Sequence, residues 1–405
     1  MSTPSESLRT TYIPYARQSL DADDIEAVVE TLRSDWITQG PKINEFEKAV
    51  AAKVQAQYAI AVSTGTAALH CACFAAGITK GDEVITSPIT FAASGNCALF
   101  LGASVKFVDI RPDTYCIDYK KLESAITFRT KAIIPVDFAG QPCDMDEINA
   151  IAKKYHLIVI HDAAHSLGAA YKNRPVGSLA DMTILSFHPV KHITTGEGGM
   201  VLTDGEQLAK QLRLFRTHGI TSNEESMILR DQAADNNGLN GGNGNSKAAW
   251  YYEMQALGYN YRITDMQCAL GLSQLKKLDD FINRRRKVVE RYNQAFKESA
   301  FIIIPHVEKD RQSAWHLYML RLRLDKMTKT RRQVFEELRS LGIGVHVHYI
   351  PLHLQPYYQK NFGYKRGDFP QAESYYDSAL TIPLFPSMTD EECRYIIEGV
   401  LKTVQ

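Results

Sequence analysis

The chain has 405 residues, and its 46 basic and 46 acidic side chains give a formal net charge of zero at pH 7. This length favours one large and one smaller domain. The largest basic cluster, residues 284–287, lies in a helical pattern typical of a solvent-exposed face. We therefore expect no nucleic-acid partner.

The cysteines and the chain's first residues indicate the compartment. The seven cysteines include no Cys-x-x-Cys pair and lie mostly in apolar segments, which is typical of reduced packing residues. Residues 1–11 are polar and lack the apolar core of a signal peptide, and no apolar run has the length of a membrane span. These features predict a cytoplasmic protein that has no membrane partner.

The first predicted element is an amphipathic helix that Ser19 or Asp21 can cap, followed by a turn at 36–41 and a second helix through Phe46. From Tyr58 onward, short apolar strands alternate with helices. The predicted strands are 58–62, 83–86, 105–108, 132–136, 157–160, 182–185 and 200–203, and the predicted helices are 67–76, 91–101, 119–126 and 145–155. This alternation predicts a mostly parallel sheet covered on both faces, with ligands at the carboxyl ends of its strands.

The last third of the chain does not continue the alternation of short strands and helices. Residues 236–246, rich in Asn and Gly, are typical of an exposed loop tip. Thr264 can cap a long helical pattern that leads into a second domain. The predicted elements of that domain are the strands 315–324 and 345–349 and the helix 331–341. The predicted fold class is α/β, with a large domain over residues 1–262 and a linking helix and smaller α+β domain over residues 263–405.

Lys191 lies on the turn between two predicted strands, at the end of Ser-Phe-His-Pro-Val-Lys and just before Gly-Glu-Gly-Gly at 196–199. Burial lowers the pKa of an amine because desolvation penalises the charged form, and a neutral amine is a nucleophile. This is the chemistry of a lysine that forms a Schiff base. From this stretch alone, a solvent-exposed loop lysine is the alternative.

A turn of small residues, Ser-Thr-Gly-Thr at 63–66, joins a predicted strand to a helix whose first amides come from Thr66 and Ala67. Free amides and the helix dipole favour an anion at such a position. The turn lacks both the Gly-Lys-Ser/Thr of a Walker loop and the Gly-x-Gly-x-x-Gly of a dinucleotide site. A single phosphate fits better, and an ordinary capped helix is the alternative.

Asp162 follows the predicted strand 157–160, where an unpaired carboxylate is costly. It needs a cationic partner, and a protonated pyridine nitrogen would serve. His165 lies close enough in sequence to contact the same ligand. A metal site made of His161, Asp162 and His165 is the competing interpretation, but its spacing matches no structural zinc pattern. His346, His348 and His353 are a second metal candidate, less favoured than polar residues on a strand facing a cleft, and we predict no metal.

Phosphate turn, carboxylate and lysine appear in the order that pyridoxal 5'-phosphate (PLP) needs. The matching motifs are Pro-Ile-Thr-Phe at 88–91, Ile-Pro-Val-Asp-Phe-Ala-Gly at 134–140, Asp-Ala-Ala-His at 162–165, Ser-Phe-x-x-x-Lys at 186–191, Gly-Glu-Gly-Gly at 196–199, Gly-Tyr-Asn-Tyr-Arg at 258–262 and Val-His-Tyr at 347–349. Together, from about Tyr15 to the C terminus, they resemble the sugar aminotransferases of the DegT/DnrJ/EryC1/StrS family. The resemblance implies a PLP-dependent transaminase with the aspartate-aminotransferase type I fold.

The resemblance also implies a role for each matching residue. Lys191, as the Schiff-base lysine, and Asp162, as the partner of the pyridine nitrogen, are the predicted catalytic residues. The predicted cofactor-binding residues are Gly65, Thr66, Ala67, Phe91, Asp162, His165, Ser186, Lys191 and Asn260. The predicted substrate-binding residues are Tyr15, Trp36, Ile37, Thr38, His348 and Tyr349. Asn260 matches a residue that reaches the phosphate of the neighbouring subunit's cofactor, which implies a homodimer.

The predicted reaction follows from the same resemblance. Lysine at position 191, where a dehydrating variant of the family has histidine, favours transamination, with L-glutamate as the amino donor. Ser-Asp-Trp-Ile-Thr-Gln-Gly at 34–40 and Gly-Leu-Ser-Gln-Leu at 271–275 resemble the pseudaminic-acid branch, which aminates C4 of a UDP-linked 4-keto-6-deoxy-N-acetylhexosamine. The alternatives are another keto-sugar nucleotide, such as a UDP-4-keto-pentose, or a PLP-binding protein without turnover.

Overall fold

The computed structural model describes residues 12–229 and 249–405, so the predicted loop tip at 236–246 lies outside the described residues. The strands are β1 (Tyr58–Val62), β2 (Glu83–Thr86), β3 (Ser104–Phe107), β4 (Thr130–Ile134), β5 (Ile158–Asp162), β6 (Ala170–Tyr171), β7 (Arg174–Pro175), β8 (Met182–Ser186), β9 (Gly199–Thr203), β10 (Ile220–Thr221), β11 (Glu253–Met254), β12 (Ile302–Ile303), β13 (Arg311–Gln312), β14 (Tyr318–Leu322) and β15 (Ala379–Ile382). The helices are α1 (Ala22–Arg33), α2 (Pro41–Val54), α3 (Gly65–Ala75), α4 (Ala93–Leu99), α5 (Leu122–Ala125), α6 (Met145–Tyr155), α7 (Glu206–Arg216), α8 (Asp265–Lys276), α9 (Leu278–Phe296), α10 (Arg331–Ser340), α11 (Pro356–Phe362), α12 (Pro370–Ser378) and α13 (Asp390–Val404).

The central sheet has seven strands in the order β1-β9-β8-β5-β4-β2-β3. The run from β8 to β3 is parallel, whereas β9 is antiparallel to both of its neighbours, β1 and β8. Every residue of β2 and β9 is buried, as expected for strands covered on both faces. The predicted mostly parallel sheet flanked by helices is therefore confirmed, and β1, β5 and β8 have their carboxyl ends at one edge.

Local sequence signals explain where several elements begin. Asp21 caps α1 and forms a reciprocal capping box with Asp24, and Thr264 does the same for α8 with Gln267. The predicted strands 58–62 and 83–86 and the predicted helix 145–155 have the observed bounds. Most other bounds in the sheet region shift by one or two residues. The long predicted helix after Thr264 is divided at Lys277 into α8 and α9.

The predicted strand 345–349 is wrong. Only His346 pairs in this stretch, through two backbone hydrogen bonds with Thr381. Beyond it the chain leaves the sheet: the His348 carbonyl accepts a hydrogen bond from the Tyr375 hydroxyl at 2.7 Å. Alternating apolar and polar residues fit a strand, but a strand also needs a partner edge, and here only one residue has one.

Two hydrophobic clusters stabilise the described chain. The larger surrounds the central sheet and includes Phe46 of α2 and Phe187 after β8. The smaller packs β14 and β15 against α9 and α13, with Tyr318 and Ile396 among its members. The C-terminal third contributes to both clusters, and the predicted domain boundary at residue 262 stays a prediction. No helix in the described ranges is both long and apolar enough to cross a membrane.

Candidate active site

Asp162 ends β5 as a buried carboxylate. Ser94 donates a hydrogen bond from Oγ to its Oδ2 at 2.6 Å, and the Ala164 amide donates to its Oδ1 at 3.2 Å. No ion pair to Asp162 is formed by the described residues. Burial raises the pKa of this carboxyl, while Ser94, Ala164 and the Lys191 charge oppose the rise. A buried acid that lacks a paired cation fits the protonated ring nitrogen of PLP.

Lys191 lies in the loop between β8 and β9. Phe187 closes the base of this loop, because its N–H donates to the Gly198 carbonyl at 2.9 Å and its carbonyl accepts from the Thr195 N–H at 3.0 Å. The side chain is half-buried, and Nζ has neither a hydrogen-bond partner nor an ion-pair partner within the described chain. Desolvation lowers the pKa of Lys191 to about 8, against the opposing charge of Asp162. Such an amine is partly neutral near neutral pH and can attack a carbonyl.

The turn after β1 approaches the end of β8. A Cβ on Gly65 would lie 3.1 Å from Ser186 Cβ, so glycine allows this close approach. Thr64 caps α3, and its Oγ1 accepts from the Ala67 N–H at 3.0 Å. The Ala67 N–H, which is predicted to bind the phosphate, therefore already donates its hydrogen bond to Thr64. The Gly65 and Thr66 amides form no hydrogen bond with the described residues, and with Ser186 they fit a phosphate at a helix N terminus.

His165 is buried beside the same edge. Its Nε2 lies 3.4 Å from the Tyr349 hydroxyl, its ring centroid lies 4.2 Å from that of His316, and its Nδ1 has no partner in the described chain. Burial, and next the Lys191 charge, holds the pKa of His165 well below its usual value, so the ring is neutral. An unpaired buried nitrogen fits the predicted contact with a polar group of the cofactor.

Phe91 is 60% exposed, and its ring centroid lies 6.2 Å from that of Tyr349. Both rings line a cavity of about 610 Å³. Tyr15 reaches the same region from the N-terminal segment, with ring centroids 5.5 Å from His346 and 5.2 Å from His348. Three of the predicted substrate-binding residues, Tyr15, His348 and Tyr349, therefore lie together.

The other three predicted substrate-binding residues form the turn Trp36-Ile37-Thr38. This turn packs against the start of α8, apart from Tyr15, His348 and Tyr349. The Ile37 carbonyl accepts from the Asp265 N–H, and Thr38 forms a bridge with Thr264. Trp36 is 55% exposed. No hydrogen bond or ring contact in the described chain joins this turn to the other predicted substrate-binding residues.

Asn260 lies next to the turn after β1, because the Tyr261 carbonyl accepts from the Ser63 N–H at 2.8 Å. Its backbone forms a bridge with Thr217, and its side chain is exposed. An exposed amide at this position is available to a second chain. Its predicted action across a subunit interface stays a prediction.

The strand β5 separates two of the residues considered as metal ligands, and the prediction of no metal stays a prediction. Successive side chains of a strand point to opposite faces, so His161 points away from Asp162 and pairs with Asp137 at 2.7 Å. Neither histidine group considered from the sequence forms a cluster of three ligands in the described chain. The cluster found among the described residues consists of Asp113, His306 and Glu308.

Sequence reasoning missed two contacts of the site. Ser94 bonds Asp162 from 68 residues away, and His316 contacts His165 from the C-terminal third. The nearest signal in the sequence is Thr90 of the Pro-Ile-Thr-Phe motif, four residues before Ser94. In the structure its hydroxyl lies 2.7 Å from Ser94 Oγ. The remaining contacts depend on how the elements pack.

Residues 18–401 match the DegT/DnrJ/EryC1/StrS aminotransferase family. The chain is 44% identical over 398 residues to the spore coat polysaccharide biosynthesis protein SpsC of Bacillus subtilis, with 98% of each chain covered. It is 37% identical over 396 residues to the UDP-4-amino-4,6-dideoxy-N-acetyl-beta-L-altrosamine transaminase of Campylobacter jejuni, with 97% of this chain and 98% of the relative covered.

Solved structures agree with these matches. Helicobacter pylori PseC, an aminotransferase involved in the biosynthesis of pseudoaminic acid, has a TM-score of 0.87 and 31% identity, with 97% of this chain and 99% of PseC covered. The PLP form of Spr1654 of Streptococcus pneumoniae has a TM-score of 0.86 and 32% identity, with 97% of this chain and 100% of Spr1654 covered. The predicted fold, enzyme class and cofactor are thereby confirmed. The chain belongs to the DegT/DnrJ/EryC1/StrS family of PLP-dependent aminotransferases.

Proposed function

We propose that this aminotransferase moves the amino group of L-glutamate to C4 of a UDP-linked 4-keto-6-deoxy-N-acetylhexosamine, a step in pseudaminic-acid synthesis. The observation that carries the catalytic part is that Lys191 and Asp162 both lie at one edge of the sheet and that neither has an ion-pair partner among the described residues. Lys191 has an amine with a lowered pKa and no protein partner, and Asp162 is a buried carboxylate without a paired cation. The names of the Campylobacter relative and of PseC support the sugar.

In this proposal each residue has one task. Lys191 would hold the cofactor covalently, and its amine would carry a proton between the substrate carbon and the cofactor carbon in each half of the reaction. Asp162 holds the ring nitrogen in its protonated form. Bound PLP supplies a sink for the electrons released when a C–H bond next to nitrogen breaks. His165 offers its unpaired Nδ1 to a polar group of the cofactor, and Phe91 covers one face of the ring.

The phosphate of PLP belongs in the turn after β1. The Gly65 and Thr66 amides and the Ser186 hydroxyl surround the position where the turn comes close to β8. The helix dipole of α3 adds a favourable field for an anion. Ala67 contributes less than the sequence predicts, since its amide is already bonded to Thr64.

The proposal includes a homodimer in which Asn260 reaches the partner's cofactor phosphate. Large apolar side chains cluster beside the site and are exposed in the single chain: Phe91, Phe100, Ile350 and Tyr357. A patch of this kind favours a protein interface. The proposed site of action is the cytoplasm, which agrees with seven free cysteines, all of them buried.

A second candidate is amination of a different keto-sugar nucleotide. It is favoured by the 44% identity to SpsC, whose name refers to a spore coat polysaccharide. Both candidates share the cofactor, the lysine and the reaction type, and they differ in the sugar that occupies the region near Tyr15 and Tyr349.

The test is a panel of UDP-linked 4-keto sugars, including the N-acetylated 6-deoxyhexose and the pentose, each incubated with L-glutamate, L-glutamine or L-aspartate. We expect amino sugar and 2-oxoglutarate to form fastest with the N-acetylated hexose and glutamate, and no product with Lys191→Ala. Faster amination of the pentose or another sugar selects the second candidate. No product with any pair, from protein that binds PLP, supports a binding protein without turnover.

A further inference from the structure

Three buried side chains form a line that ends on Asp162. The Thr90 hydroxyl oxygen lies 2.7 Å from Ser94 Oγ, which lies 2.6 Å from Asp162 Oδ2. Thr90 is 2% exposed, Ser94 1% and Asp162 5%. Thr90 precedes α4, Ser94 lies in its first turn, and Asp162 ends β5, so two separate elements hold the line in place.

The chemistry of the three groups fixes the direction of the protons. An ionised carboxylate only accepts hydrogen bonds, so the single hydroxyl proton of Ser94 is donated to Asp162. The Ser94 oxygen is then free to accept, and the Thr90 hydroxyl donates to it. Each hydroxyl thereby polarises the next one towards the carboxylate.

We infer that Ser94, oriented by Thr90, is a positioning residue that holds the Asp162 carboxylate ionised and in fixed orientation for the ring nitrogen of PLP. This inference rests on the proposed role of Asp162. Burial by itself favours the neutral carboxylic acid, which has no charge with which to stabilise a protonated ring nitrogen. The Ala164 amide and the charges of Lys191 and His161 also favour the ionised form, but the Lys191 amine is itself used by the cofactor in the proposed mechanism.

The test isolates the ring nitrogen. Binding of PLP to the apoprotein is compared with binding of the carbocyclic analogue in which a C–H group replaces that nitrogen. The Kd of the analogue divided by the Kd of PLP measures how much the ring nitrogen contributes to binding. Hydrogen bonds to charged groups contribute enough that Ser94→Ala should reduce this ratio about tenfold. Affinity for the analogue should change little, because the analogue cannot carry the ring proton.

The chain offers a matched control at the opposite edge of the sheet. Thr130, at the start of β4, donates from its buried hydroxyl to the buried carboxylate of Glu83 at 2.8 Å. Thr130→Val therefore removes the same kind of bond far from the site. We expect it to leave the Kd ratio at the wild-type value, so that a general loss of stability is separated from the effect at the ring nitrogen.

Two more variants decide between explanations. Asp162→Asn should bring the ratio close to one. If it does and Ser94→Ala keeps the wild-type ratio, the inference about Ser94 is wrong and the proposed role of Asp162 stands. If Asp162→Asn also keeps the wild-type ratio, both are wrong. Should Ser94→Ala fail to fold, Thr90→Val decides: a smaller fall in the ratio supports the line of hydroxyls, and no fall overturns it.

Discussion

The Tyr349 hydroxyl lies 3.4 Å from Nε2 of His165, which joins the C-terminal third of the chain to the edge of the central sheet. His165 is predicted to bind the cofactor and Tyr349 the substrate. The ring of Tyr349 also faces Phe91, the residue proposed to cover the cofactor. Tyr349 therefore connects the two predicted groups, whereas the hydrogen bonds of Trp36 within the described residues go to Ser34 and reach neither group.

Changes at Tyr349 and Trp36 should separate the two halves of the reaction. We expect Tyr349→Ala and Trp36→Ala to slow the sugar half-reaction and to spare the glutamate half-reaction, since glutamate needs to reach only the cofactor. Single-turnover kinetics of each half measure this. Phe128→Ala, which removes a 95% exposed ring just before β4, is the control and should change neither. Equal losses in both halves would mean that Tyr349 and Trp36 support the fold and not the sugar.

Lys191→Ala should abolish the covalent attachment of PLP. The variant keeps the fold, because the loop is closed by backbone bonds of Phe187 and not by the lysine side chain. We expect loss of the visible absorbance that borohydride removes from the wild-type protein, with an unchanged circular dichroism spectrum. Full turnover with wild-type absorbance would show that another group is the nucleophile.

Asp162→Asn should leave PLP binding partly intact and lower turnover by several orders of magnitude. Without the carboxylate the ring nitrogen loses its proton, and the electron sink of the cofactor becomes weaker. The rate of the glutamate half-reaction in saturating PLP is the measurement. A rate equal to that of the wild type would remove Asp162 from the proposed mechanism.

The stability of the apoprotein should depend on pH through Asp162. Burial raises the folded-state pKa of this group above its unfolded value of about 3.9. The protonated Asp162 therefore contributes to folding stability below the unfolded-state pKa, and this contribution is lost as the pH rises through the higher, folded-state pKa. The hydrogen bonds from Ser94 and Ala164 and the charges of Lys191 and His161 lower the folded-state pKa and so reduce this loss. Urea unfolding between these two pKa values measures the effect. As the pH rises, the free energy of unfolding of Asp162→Asn should increase relative to that of the wild type, by about 1.4 kcal/mol for each unit between the two pKa values.

The sequence predicts the elements whose signals lie in neighbouring residues. It fails where an element or a contact depends on a distant part of the chain. The strand at 58–62 is an apolar run ended by small residues, and α6 has a clear amphipathic pattern. The stretch 345–349 has an equally good pattern but finds only Thr381 to pair with. The bond from Ser94 to Asp162 depends on packing α4 against the end of β5, which no spacing of residues reveals.

The last prediction concerns Asn260 and the dimer. The exposed Asn260 side chain lies beside the phosphate turn, yet no described residue of its own chain bonds to it. If it completes the partner's site, Lys191→Ala and Asn260→Ala are each inactive alone but complement one another. In a heterodimer of the two, one site combines Lys191 of one chain with Asn260 of the other, and the second site lacks both. Random mixing should then restore about a quarter of the wild-type activity, since about half of the dimers are mixed and each has one intact site. Activity of verified heterodimers is compared with that of each variant treated alone. Absence of recovery would mean that each site is built within one chain, and full activity of Asn260→Ala alone would remove this residue from the site.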